Sequence, residues 1–196
     1  MIAYIDGTLA YKEATYVIID VGGLGYELHI SLQTYSTLPA GGVKCKLFTY
    51  QHIREDIQAL YGFATADEKY LFLDLLSVSG IGPNSALVML SSMTSLELRQ
   101  AIVSENVRTV QSIKGIGPKT AQRVILELKD KMKKQGLVAS DTPSYRQGID
   151  PVREEALAAL VALGLARPAA EKNLDTIIRQ SDGNLTVEDL IRQSLR

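Results

Sequence analysis

The residues best placed to do chemistry are a short phrase that the chain states twice. Gly80-Ile81-Gly82-Pro83 returns as Gly115-Ile116-Gly117-Pro118, an offset of 35 residues, and the frame continues with Val78 against Ile113, Ala86 against Ala121 and Met89 against Val124. Each copy lies between two apolar helical runs, which places the glycines in a tight inter-helix turn. Glycine there keeps side chains clear, so that a ligand can approach the backbone closely. Proline then suits the first helical position, where its missing N–H costs nothing. The exposed remainder is a set of free amides at a positive helix end, which is an anion site. The chemistry is therefore non-covalent phosphate binding. Two copies in register fit the phosphate repeat of a nucleic-acid duplex, gripped without regard to base sequence.

Gly80, Ile81, Gly82, Asn84 and Ser85 form the candidate contact set of the first copy, and Gly115, Ile116, Gly117, Lys119, Thr120 and Arg123 that of the second. Lys119 and Arg123 lie one helical turn apart and add charge to the amides, or else form an ordinary solvated face. The first copy has Asn84 where the second has Lys119, so its grip should depend less on salt. A nucleotide-binding P-loop is excluded at 115–120. Pro118 occupies the glycine position before the lysine, and the preceding element reads as a helix rather than a strand.

A second group of candidates is acidic. Glu55 and Asp56 stand at the tip of a strand-to-strand connection. They are either solvated turn residues or a charge that repels phosphates and steers strands apart. Two adjacent carboxylates on a bare loop lack the further ligands of a metal site. His29 and His52 fall in separate strands with no nucleophile arranged beside them, which points to barrel packing or surface. Cys45 is the sole cysteine, so an internal disulfide and a multi-cysteine zinc site are both excluded. No cofactor is expected.

The elements that must position these residues divide the chain. Residues 1–63 are rich in Tyr, Val, Ile and Thr with glycine punctuation, and read as five short strands. Thr15–Val21 and Tyr26–Ile30 flank a Gly22-Gly23-Leu24-Gly25 hairpin connection, and 46–53 leads through Arg54-Glu55-Asp56 into 57–61. A short sheet hides its edges best by closing, so an OB-type barrel is expected. Residues 64–134 are helical and hold both hairpins; Thr94-Ser95-Leu96-Glu97 starts a helix with a hydroxyl cap, and Lys129, Lys131, Lys133 and Lys134 end the last one. Residues 135–150 lose periodicity and read as a linker. Residues 151–196 hold three short helices, with Leu157, Leu160 and Val161 as a stripe that is core or docking surface.

Charge sharpens the assignment. The net charge is -1 over 196 residues, which excludes a uniformly basic nucleic-acid binder. Residues 1–62 carry 4 basic and 6 acidic side chains, 63–134 carry 10 and 7, and 135–196 carry 7 and 9. Only the segment with the hairpins is net basic. The N-terminus lacks signal-peptide character and no run approaches membrane-spanning length, so a cytoplasmic protein without membrane contact is expected.

With these residues assembled, the whole chain resembles the RuvA family of bacterial Holliday junction branch migration subunits. The markers are Val21-Gly22-Gly23-Leu24-Gly25-Tyr26-Glu27, Arg54-Glu55-Asp56 with Leu60-Tyr61-Gly62-Phe63, and both hairpins in order. The resemblance implies an N-terminal OB-type barrel, an all-α tandem helix-hairpin-helix domain and a mobile C-terminal three-helix, UBA-like domain. It implies a homotetramer, or two tetramers face to face, holding an open four-way DNA junction in recombination, repair and the SOS response. By position, Glu55 and Asp56 match an acidic pin at the junction centre. The C-terminal domain would dock on the hexameric ATPase RuvB, with Leu157, Leu160 and Val161 as its candidate contacts, and the junction resolvase RuvC would be a further partner. Catalysis is not expected in this chain. The rival readings are a helix-hairpin-helix repair enzyme, a glycosylase or nuclease, and a protein-binding adaptor.

Overall fold

Leu9, Val17, Ile19, Leu28, Ile30 and Leu47 alternate along their strands with half-buried or exposed neighbours and are buried together, which is the period of a half-buried sheet. In a computed structural model of the chain, which describes residues 1–135, 151–180 and 185–195, they line the inside of a closed barrel. Its strands are β1 (Tyr4–Lys12), β2 (Tyr16–Val21), β3 (Leu24–Ile30), β4 (Lys44–Ile53) and β5 (Gln58–Phe63), in the order β1-β2-β3-β5-β4. The β2–β3 connection is shorter than its sequence indicates. Val21 pairs with Leu24, so Leu24 and Gly25 belong to β3 and only Gly22 and Gly23 turn, at φ of 64° and 94°. A two-residue turn with both φ positive matches the twist of its strands, and glycine adopts it without strain.

A short helix, α1 (Leu32–Thr37), closes the gap between β3 and β4. The Ser31 side chain caps it by accepting from the Thr34 amide at 3.0 Å. Helix α2 (Ala66–Leu76) follows β5, and its Glu68 is buried against α1. Glu68 accepts hydrogen bonds from Ser31 Oγ and from Thr34 Oγ1, the latter at 2.7 Å, while Thr34 Oγ1 accepts from the Ala64 amide at 3.0 Å. Burial pushes the Glu68 carboxyl above its ordinary value, against the opposing pull of these hydrogen bonds.

The helices α3 (Pro83–Ser92), α4 (Ser95–Val103), α5 (Val107–Gln111) and α6 (Pro118–Gln135) complete this part of the chain. Thr94 and Glu97 form the reciprocal capping box that starts α4. Leu71, Leu75, Val78, Ala86, Met89, Leu98, Ile102, Ala121, Val124 and Leu128 share one core with Tyr61 and Phe63 of β5. Phe63 packs on Phe72 at 4.9 Å between ring centroids, so barrel and helices are joined through buried aromatics.

The chain divides into two compact units, Met1–Ala139 and Ser140–Arg196. Beyond Gln135, which ends α6, the expected linker lies outside the described residues. The second unit contains α7 (Pro151–Ala162), α8 (Arg167–Gln180) and α9 (Val187–Ser194), around Ala156, Leu157, Leu160, Ala170, Leu174 and Leu190. This corrects two docking assignments. Leu157 and Leu160 are core, at 3% and 0% exposure, because so small a module uses its whole apolar stripe to fold. Val161 remains exposed at 42%, beside an unanticipated Leu163 at 61%. Among the described residues no helix is long and apolar enough to cross a membrane.

Candidate nucleic-acid interface

The repeated phrase folds into a repeated geometry. The Val78 amide donates to Leu75 O, Ile81 to Val78 O and Ala86 to Gly82 O; 35 residues on, Ile113 donates to Val110 O, Ile116 to Ile113 O and Ala121 to Gly117 O. Gly80 and Gly115 take φ of 92° and 86°, the left-handed turn that reverses each chain. Pro83 and Pro118 then open α3 and α6. The Gly82 N-cap provides no side-chain hydrogen bond, so the first-turn amides of α3, Asn84 and Ser85 among them, are left for an external acceptor. A Cβ built on Gly82 or Gly117 meets nothing within 4 Å, which marks open space in front of both turns.

Ile81 and Ile116 are corrected from contact residues to anchors. Each is 6% exposed within the helical core, and each amide is already bonded inside its turn. An apolar residue between two glycines fixes the loop from behind while the glycines face out. Asn84 and Lys119 are both exposed in the first turns of their helices, and Ser85 and Thr120 are half-buried beside them. The Asn84 carboxamide Oδ1 accepts from Tyr61 Oη at 3.4 Å, so it leans towards the barrel. Burial raises the Tyr61 phenol above its ordinary value and keeps it a donor.

Arg123, exposed on α6, donates from Nη1 to the Ser79 carbonyl of the first hairpin at 3.0 Å. It therefore joins the two copies, a tertiary link that their spacing does not reveal. Neither Arg123 nor Lys119 forms an ion pair among the described residues, and the guanidinium keeps further donors for a phosphate. The basic end of α6 behaves otherwise, since Lys129 pairs with Glu105 and Lys131 with the buried Asp74. The local positive field in front of the turns thus comes from Lys119 and Arg123, with Lys114 exposed beside Gly115.

Glu55 and Asp56 are exposed at the β4–β5 tip, where the Arg54 amide donates to Ile57 O at 2.8 Å and closes the turn. The flanking Ile53 and Ile57 are 60% and 46% exposed, so the carboxylates sit on an apolar stalk. His29 lies against Tyr61 at 5.5 Å between centroids and His52 against Tyr50 at 6.1 Å. Among the described residues no group of three or more His, Cys, Asp or Glu is placed to hold a metal.

Comparison with known proteins bears on the same segments. Residues 1–62 match the RuvA N-terminal domain family, 72–130 the SAM-like helix-hairpin-helix tandem, and 151–196 the RuvA C-terminal domain family. The chain is 52% identical to a Cytophaga hutchinsonii protein over 100% of this chain and 99% of the relative. It is 50% identical to one from Amoebophilus asiaticus over the full length of both, and 40% identical to one from Chlorobaculum tepidum over 100% of this chain and 96% of the relative. All three bear the name Holliday junction branch migration complex subunit RuvA.

Proposed function

This chain belongs to the RuvA family, and from that premise we propose that it grips the arms of a four-way DNA junction through its two hairpins and holds the crossover open with its acidic tip. It is a non-catalytic DNA-binding subunit serving branch migration. The observation that carries the reading is the matched pair of hydrogen-bond ladders, which present two similar sets of amides 35 residues apart, cross-linked by Arg123. The contacts run to phosphates, so the grip ignores base sequence and lets the duplex slide.

Affinity and selectivity have separate sources in this account. The hairpins bind any duplex backbone. A homotetramer, alone or facing a second tetramer, repeats them around a fourfold axis and matches four arms. Glu55 and Asp56 would gather at that axis, where their charge disfavours a duplex running straight through and tolerates strands that turn aside. Val161 and Leu163 supply exposed apolar surface for docking the hexameric ATPase RuvB, which drives the duplex arms. The work belongs in the cytoplasm, where RuvC would act on the same junction.

The testing experiment is strand exchange on a synthetic four-way junction with the chain alone, RuvB alone and both, each with ATP. The reading requires exchange at limiting RuvB only when both are present. Exchange or strand cleavage by the chain alone would replace it with an enzyme.

A further inference from the structure

The barrel wall is weakest between β3 and β5. β4 and β5 pair from Phe48↔Phe63 to Ile53↔Gln58, whereas β3 and β5 pair only at His29↔Tyr61 and Ile30↔Gly62. Beside that short seam the strands diverge around a cavity of about 260 Å³. Glu27 and His29 reach it from β3, Gln51 from β4 and Gln58 from β5, with Ile2 and Leu60 as apolar walls. Gln58 is the first residue of β5, so the cavity opens at the foot of the connection that carries Glu55 and Asp56.

Three properties define what fits. The volume lies below the roughly 300–1,000 Å³ of sites for drug-sized ligands, which leaves room for one planar ring system. Among the described residues no Lys or Arg lines the cavity and Glu27 places a carboxylate in it, so a phosphate is disfavoured. Gln51 and Gln58 each offer an amide donor and a carbonyl acceptor, and neither carboxamide has a hydrogen-bond partner among the described residues. Two rotatable carboxamides over an apolar floor can meet the edge of any heterocyclic base.

The position supplies the fourth argument. His29 also borders a second hollow, which passes Thr15 and Leu32 to reach Asn84 and Val88 in α3. His29 lines both hollows, one of which reaches the helix of the first hairpin and the other the foot of the acidic tip.

We infer that the β3–β5 slit receives one unpaired nucleobase from a strand opened at the junction centre. The inference rests on the junction-binding reading above and adds a ligand site to it. Phosphates stay outside, repelled by Glu55 and Asp56, while the base that has lost its partner finds hydrogen bonds at Gln51 and Gln58. The carboxamides choose no particular base, so the site does not arrest migration.

The test uses the full chain and two four-way junctions of the same sequence, one intact and one with abasic nucleotides at the crossover. Wild type should bind the intact junction several-fold more tightly than the abasic one. Gln51→Ala with Gln58→Ala should lose that several-fold difference by weakening on the intact junction alone. Unchanged affinity of the variant for linear duplex reports intact hairpins. Equal wild-type affinity for both junctions, or a double variant that keeps the full dependence on bases, overturns the slit assignment and leaves junction binding standing. A wild type with no preference for either junction over duplex overturns both.

Discussion

Arg123 on α6 donates to the backbone carbonyl of Ser79, so one side chain of the second hairpin holds the turn of the first. Charge and linkage are then separable by substitution. Arg123→Lys keeps the cation and loses the planar fork that bonds the Ser79 carbonyl with donors to spare for the proposed phosphate. We expect Arg123→Lys to weaken duplex and junction binding by several-fold, and Arg123→Ala by about tenfold with a shallower salt dependence. Filter binding across a salt series measures both. Wild-type affinity in Arg123→Lys would show that the link to Ser79 is dispensable.

The glycines of each turn have different tasks, and alanine distinguishes them. Gly82 lies at φ of -94° with open space before it, so Gly82→Ala with Gly117→Ala should leave the melting temperature nearly unchanged while lowering DNA affinity. Gly115 has φ of 86°, and Gly115→Ala should cost about 1–2 kcal/mol of stability for holding a side chain in the left-handed region. Calorimetry beside binding separates the two. A large stability loss in the first variant would remove the close-approach role of Gly82 and Gly117.

Glu68 gives the first unit a pH signature. Burial raises its folded value above the unfolded one, so the protonated form favours folding. That contribution is complete below the ordinary carboxylate value near pH ~4.3 and is lost as pH rises through the raised value. Glu68→Gln retains a neutral partner for Ser31 and Thr34, and should flatten this decline when denaturant unfolding is followed from pH 4 towards neutrality. A steeper decline in the variant would contradict the assignment.

In the C-terminal unit, surface and core must respond differently. Leu160→Ala should destabilise that unit by about 2–5 kcal/mol, as deletion in a buried site does. Val161→Asp with Leu163→Asp should leave its helices intact by circular dichroism and weaken RuvB capture at least tenfold. Capture undiminished by the double substitution would place docking elsewhere.

Much of this architecture is legible in the residues, for identifiable reasons. The hairpins are marked because glycine, apolar residue, glycine and proline each meet a distinct backbone demand, and the barrel because short runs rich in Tyr, Val, Ile and Thr are punctuated by glycine. Helix α1 escapes notice, since six residues with one cap hold no periodic stripe. Glu68 carries no mark in the sequence, and only the fold shows that Ser31 and Thr34 enclose it. Leu157 and Leu160 carry a spacing that serves core and docking equally, so burial had to decide. The Arg123–Ser79 bond spans 44 residues and has no local signature.

The central claim is that hairpins give affinity while the Glu55–Asp56 tip gives selectivity. The most direct measurement is the ratio of dissociation constants for linear duplex and four-way junction of the same arm sequences, for wild type and for Glu55→Lys with Asp56→Lys. The account predicts a strong junction preference in wild type that persists when the arm sequences are exchanged. It predicts tighter duplex binding and a ratio reduced at least several-fold in the variant. An unchanged ratio in the variant would contradict it.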